Sequence, residues 1–194
     1  MSNDEIVSVI LVGVGGQGIL LASEVMATAA ALAGFEVKTN EVHGMAQRGG
    51  SVIAQIRYGQ QVFSPLVAEG TARVIGALEQ VEGLRYHPYL VQDGFAVVSQ
   101  QAIVPVTVSA GQSEYPQDLE PRLREVYPRL AWIDVQQAAE DIGNPKVANM
   151  VILGAMSTEL DLPSHVWEEA ITTCVKPEFV DSNLMAFVIG RSLV

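Results

Sequence analysis

The chain has 194 residues, 49% of them hydrophobic, with a mean hydropathy of +0.27. Its formal net charge of −11 and pI near 4.6 argue against nucleic acid and anionic membrane surfaces, both of which are recognised by clustered Lys and Arg. Cys174, the one cysteine, leaves no intramolecular disulfide and no cysteine-based metal cluster, and the acidic start through Glu5 is the reverse of a signal peptide, so a cytoplasmic location is expected.

Residues 6–12 form an apolar, β-branched run, the pattern of a strand buried on both faces of a parallel sheet. Gly13-Val14-Gly15-Gly16-Gln17-Gly18 follows and leads into a helix over 19–33, rich in Ala, Leu and Met and closed by Gly34. Residues 35–42 read as a second strand, completing a βαβ unit with the usual right-handed crossover. After a loop at 43–50, residues 51–58 alternate like a strand, and Gly59-Gln60-Gln61 reads as a hairpin turn before a short strand at 62–63. Further strands are expected at 72–78, 95–99, 103–108 and 130–135, with 79–89 partly helical and a helix at 119–126. The Gly/Ser/Pro-containing connection at 110–116 reads as a mobile loop. Helical spacing fills 147–160, 164–174 and 177–190, with Pro163 and Pro177 as breakers and Ser164 as an N-cap. These elements predict one α/β domain over 1–194, doubly wound around a mainly parallel sheet, with a helical C-terminal segment.

Two motifs carry chemistry. Gly13, Gly15 and Gly18 satisfy G-x-G-x-x-G between a strand and a helix, where backbone amides approach an anion at the positive helix end. Glu41 falls where a ribose-binding acid sits in a dinucleotide fold. The glycines serve equally well for close strand–helix packing or for an interface, and Gly16 lies outside the usual pattern. The second motif, His43-Gly44-Met45-Ala46-Gln47-Arg48-Gly49-Gly50-Ser51, gathers an imidazole, an amide, a guanidinium and a hydroxyl in one glycine-bracketed loop. Arg48 suits a carboxylate or phosphate, or an acidic group on a partner. Gln47 and Ser51 suit a neutral ligand, and His43 is read first as structural. Ser64-Pro65 and Asp134 are placed at the same sheet edge or in a turn and a cap. His87 and His165 are given no metal role, and Cys174 is read as a small buried residue.

Together the two motifs, with Ser64-Pro65 and the stretches 149–154 and 183–190, resemble the gamma domain of 2-oxoacid:ferredoxin oxidoreductases over nearly the whole chain. The segment from Glu41 to Ser51 is most similar to the beta subunits of the indolepyruvate enzymes. Gamma subunits acting on pyruvate, 2-ketoisovalerate or 2-oxoglutarate are near relatives. The resemblance implies a larger partner subunit carrying thiamine diphosphate, Mg and [4Fe-4S] clusters, which decarboxylates the 2-oxoacid, passes electrons to ferredoxin and transfers the acyl group to coenzyme A. A single cysteine agrees with clusters held elsewhere, so the chain is expected to be inactive alone.

Three roles follow. Gly13, Gly15, Gly16, Gln17, Gly18, His43, Gln47, Arg48 and Ser51 hold coenzyme A or another anion; or the chain is chiefly an interaction subunit, as its apolar content suggests; or it is an independent NAD(P)-dependent oxidoreductase. No catalytic residue and no metal ligand is assigned to this chain.

Overall fold

The order of the strands is set by what each can bury. Val7–Val14 (β1) is Val-Ser-Val-Ile-Leu-Val-Gly-Val and all eight residues are buried, the profile of a central strand covered on both faces. The computed structural model describes residues 6–44, 50–104 and 114–194. Among these, β1 stands third in a six-stranded sheet of order β2-β3-β1-β4-β5-β6. The others are Glu36–His43 (β2), Ser51–Gly59 (β3), Ala72–Ala77 (β4), Leu90–Ser99 (β5) and Leu130–Ile133 (β6). Only β3 runs antiparallel to its neighbours; the other contacts are parallel. This is the mainly parallel α/β sheet expected from the sequence.

The βαβ unit is present but split. Ile19–Leu32 (α1) links β1 to a strand of the same direction, yet β3 lies between the two. The polar composition of β2, Glu-Val-Lys-Thr-Asn-Glu-Val-His, fits its place at the sheet edge, where only one side is paired.

Helices cover both faces. Val9 and Leu11 of β1 pack with α1, Ala148–Met156 (α5), Ser164–Cys174 (α6) and Val180–Ser192 (α7), while Ile10 and Val12 face the opposite side with Leu123 of Leu119–Val126 (α3). All nine residues of α5 are buried, as a helix hydrophobic on every side requires. It crosses α7 so closely that a Cβ on Gly154 would strike the Phe187 carbonyl, and one on Gly190 the Val151 carbonyl. Trp167 of α6 lies fully buried against Phe187, ring centroids 5.4 Å apart.

Several local expectations change. No strand forms at 62–63: the Val62 N–H donates to Glu36 Oε2 at 3.1 Å, so a side chain takes the role of a ladder partner. Residues 103–104 have no regular structure, and the rest of the 103–108 strand and most of the 110–116 connection lie outside the described residues. Val135–Asp141 (α4) replaces the end of the last expected strand. Pro163, not Ser164, is the N-cap of α6, with no side-chain cap. Among the described residues no helix is long and apolar enough to cross a membrane.

Candidate functional site

Parallel strands end together at one edge of the sheet, and the glycine turn lies there between β1 and α1. Its glycines differ in what they do. A Cβ on Gly13 would meet Gln17 Oε1 at 2.6 Å and Ile19 Cδ1 at 2.8 Å, so this position is closed by packing. Gly16, the residue outside the usual fingerprint, has φ +103° and faces open space. Gly18 has φ +77° and is also pressed against Asn149 Nδ2, 2.6 Å from where a Cβ would sit. Asn149, at the start of α5, donates to the Gly18 carbonyl at 3.0 Å and accepts from the Met150 N–H at 2.9 Å.

Gln17 is engaged by the fold rather than left for a ligand. Its Oε1 accepts from Val14 N–H at 2.8 Å, and its Nε2 donates to Leu78 O at 2.7 Å and Gln101 Oε1 at 2.8 Å. The amide thereby bridges the ends of β1 and β4, where helices change face and where open α/β sheets usually bind ligands. Ser51 is similarly engaged: its hydroxyl donates to Glu82 Oε2 at 2.5 Å. The two motifs meet through the backbone, Gly15 N–H donating to Gly50 O at 2.8 Å, while Gly44 N–H closes the second motif on Ser51 O at 3.1 Å. Gln47 and Arg48 lie outside the described residues.

The turn forms a ridge between two clefts. One, of about 530 Å³, is walled by Val14, Ile19, Leu20, Leu21 and Val52, with His43 at its edge. The other, of about 400 Å³, is bordered by Leu78, Gln101, Gln136, Lys146 and Asn149. Gly16 and Gly18 belong to both. Near the second cleft, Gln80–Arg85 (α2) and its N-cap supply two acids absent from the expected site, Glu82 (4% exposed) in the helix and Glu79 (2% exposed) at the cap. Glu79 caps α2, its Oε2 accepting from Glu82 N–H at 2.9 Å, and its Oε1 accepts the Tyr115 hydroxyl at 2.6 Å. Burial raises the Glu82 carboxyl above its ordinary range, opposed by the Ser51 hydrogen bond and by Arg85. Burial raises the Tyr115 hydroxyl too, with its bond to Glu79 adding to the effect.

Other expected residues fall elsewhere. Glu41 pairs with Ala54 on the edge strand, two inter-strand spacings or about 10 Å from β1. That removes it from the ribose position, because β3 occupies the place a dinucleotide fold gives to β2. Ser64 lies at the opposite edge of the sheet, its carbonyl accepting from Arg57, which pairs with Ser8 near the start of β1. Asp134 is a helix cap, accepting from Gln137 N–H at 3.0 Å. His87 Nδ1 is 2.9 Å from Leu84 O, and His165 is exposed. Cys174 Sγ is 3.4 Å from Thr28 Oγ1, with burial raising its thiol pKa. Among the described residues no group of three or more His, Cys, Asp or Glu side chains is placed to hold a metal.

The chain is 40% identical over 188 residues to the indolepyruvate oxidoreductase subunit IorB of Archaeoglobus fulgidus, covering 94% of this chain and 92% of that protein. The same subunit of Thermococcus kodakarensis is 38% identical, with 94% and 93% covered. Among solved structures the fold matches a keto/oxoacid ferredoxin oxidoreductase gamma subunit from Geobacter sulfurreducens, with a TM-score of 0.71, 24% identity and 96% and 97% of the two chains covered. It also matches the 2-oxoglutarate:ferredoxin oxidoreductase of Magnetococcus marinus, solved with 2-oxoglutarate, coenzyme A and succinyl-CoA bound, at a TM-score of 0.73 and 21% identity. There the match spans 98% of this chain and 31% of the longer one. With residues 8–193 matching its sequence pattern, this chain belongs to the pyruvate ferredoxin/flavodoxin oxidoreductase family.

Proposed function

We propose that the chain is the small subunit of a cytoplasmic 2-oxoacid:ferredoxin oxidoreductase acting on indolepyruvate or another aryl pyruvate, inactive alone and completed by a larger partner. Identity of 38–40% to indolepyruvate oxidoreductase subunits along almost the full chain supports that substrate class. The donor set does not fit an iron–sulfur cluster, which needs several thiolates where this chain has Cys174 alone. On this proposal the clusters lie on the partner, together with the thiamine diphosphate and Mg that would supply decarboxylation and the electrons for ferredoxin.

This chain's part is to bind and orient. The observation that carries the reading is the junction of the two motifs, where the Gly15–Gly50 hydrogen bond places the glycine turn against the end of the second loop. Beside it, the first turn of α1 directs N–H groups without intrahelical acceptors toward the clefts. Lys146 lies across the smaller cleft. These groups suit the phosphates of coenzyme A, with Arg48 contributing from the second loop and His43 bordering the apolar side. In titration calorimetry on the assembled enzyme, Arg48→Ala weakens coenzyme A by about tenfold, the contribution of one charge-assisted contact. Unchanged affinity removes Arg48 from this role.

Exposed apolar side chains favour a second reading, which makes the opposite prediction for Arg48. Phe63 is 81% and Val188 63% exposed, side chains that a partner subunit would cover. On this reading the chain is held in the complex by apolar contact, and Arg48→Ala disrupts assembly before it affects coenzyme A. Normal co-elution of that variant with its partner in size-exclusion chromatography counts against it. The NAD(P)-dependent alternative is not retained, given the position of Glu41 and the Gln17 bridge at the β1–β4 crevice.

A further inference from the structure

The polar groups around the glycine turn do not act singly. Gln17 Nε2 donates to Gln101 Oε1 (2.8 Å). The carbonyl of Gln101 accepts from Gln80 N–H (3.1 Å) at the start of α2. Next to it, Glu79 Oε2 accepts from Glu82 N–H (2.9 Å), and Glu82 Oε2 accepts the Ser51 hydroxyl (2.5 Å). Ser51 pairs with Val14 in the β1–β3 ladder, and Val14 N–H returns to Gln17 Oε1 (2.8 Å). The bonds thus run from the glycine turn to α2 and back to the start of β3, where Ser51 lies beside Val14 without a hydrogen bond between them. Tyr115 braces it from outside: its hydroxyl donates to Glu79 Oε1 (2.6 Å) and accepts from Gln80 Nε2 (3.2 Å).

We propose that Tyr115 is a positioning residue for the glycine turn, acting through a hydrogen-bonded network of Gln17, Gln101, Gln80, Glu79, Glu82 and Ser51 that brackets the turn through α2. The physical basis is that Glu79 and Glu82 are nearly buried. Without the Tyr115 hydroxyl, Glu79 Oε1 keeps the long contact from Ile103 N–H at 3.4 Å, so the carboxylate moves to recover a short bond and the first turn of α2 shifts with it. Through Gln80 the shift reaches Gln101 and then Gln17, whose amide holds the turn shut. Ser51 transmits the same movement from the other side. The network makes the turn and the end of the second motif one rim, with its register fixed by residues far apart in the chain.

Amide hydrogen exchange on the full chain tests this at residues 13–22. Tyr115→Phe, which removes only the hydroxyl, speeds exchange there about fivefold, the weight of one net hydrogen bond. Ser51→Ala has a similar effect. The double variant stays near the larger single effect rather than reaching the product, because both hydroxyls act on the same first turn of α2. Glu82→Gln, which keeps an acceptor for Ser51, stays near the parent rate, whereas Glu82→Ala does not. Tyr127→Phe is the control: that hydroxyl also bonds α2, at the Gly83 carbonyl (2.7 Å), but lies outside the network, and exchange at 13–22 is unchanged. The proposal is overturned if Tyr115→Phe leaves 13–22 at the parent rate, if Tyr127→Phe speeds it equally, or if the two single effects multiply.

Discussion

The glycine turn and the α5–α7 crossing both depend on glycine, for opposite reasons. At the crossing, Gly154 and Gly190 supply space, each facing a backbone carbonyl of the other helix that has nowhere to go. At the turn, Gly16 supplies conformation, with φ +103° and open space where a Cβ would be. Gly18 needs both, with φ +77° and Asn149 against it. The difference separates the part of the chain that tolerates nothing because it is core from the part whose shape serves a neighbour.

The largest effect expected from that contrast is at the crossing. Gly154→Ala forces α5 and α7 apart over a fully buried helix and costs at least about 3 kcal/mol, read as loss of the cooperative urea transition or a large fall in its midpoint. Gly18→Ala comes next, at about 2–3 kcal/mol, combining left-handed strain with displacement of Asn149. Asn149→Ala, which removes the donor to the Gly18 carbonyl, costs about 1–2 kcal/mol in the same measurement. Gly16→Ala meets no atom and costs only backbone strain, about 1–2 kcal/mol. It nevertheless weakens coenzyme A in the assembled enzyme by more than its stability loss accounts for. If Gly16→Ala proved as damaging to folding as Gly154→Ala, the distinction between the two regions would be lost.

The smallest effect concerns pH. Burial raises the Glu82 pKa in the folded chain above its unfolded value of about 4.5. The folded state then binds the proton more tightly, so this group's contribution to stability declines as pH rises from near 4.5 through the folded pKa. Glu82→Gln abolishes that slope, and urea titrations of both proteins across this window check the sign. A parent whose stability rises with pH through Glu82 contradicts the assignment.

Local pattern made much of this legible. The apolar run of β1, the turn and α1 were readable because they are contiguous, and α3 at Leu119–Val126 matches its expected span because its amphipathic repeat is short and clear. The inserted β3 was not, since a strand–helix–strand succession says nothing about which strand lies between. The sign of it was the polar composition of β2 beside the mostly apolar, fully buried β1. Helix α4, Val-Gln-Gln-Ala-Ala-Glu-Asp, carries too little apolar period to announce itself. Val62 and Phe63 mimicked a strand while one is buried and the other exposed around a side-chain bond to Glu36. At the site, the glycines and Ser51 were visible as motifs. The partners that engage Gln17 and Ser51 were not, because Gln101 is 84 residues from Gln17 and Glu82 is 31 from Ser51, separations at which sequence spacing carries no geometry.

The most direct test is purification of the chain from its native source under mild conditions, with mass identification and cofactor analysis of what elutes with it. The account predicts one complex in which this chain accompanies a larger subunit carrying thiamine diphosphate and cysteine-ligated iron–sulfur clusters, with indolepyruvate-dependent reduction of ferredoxin. A free chain that elutes alone and binds NAD or NADP contradicts it.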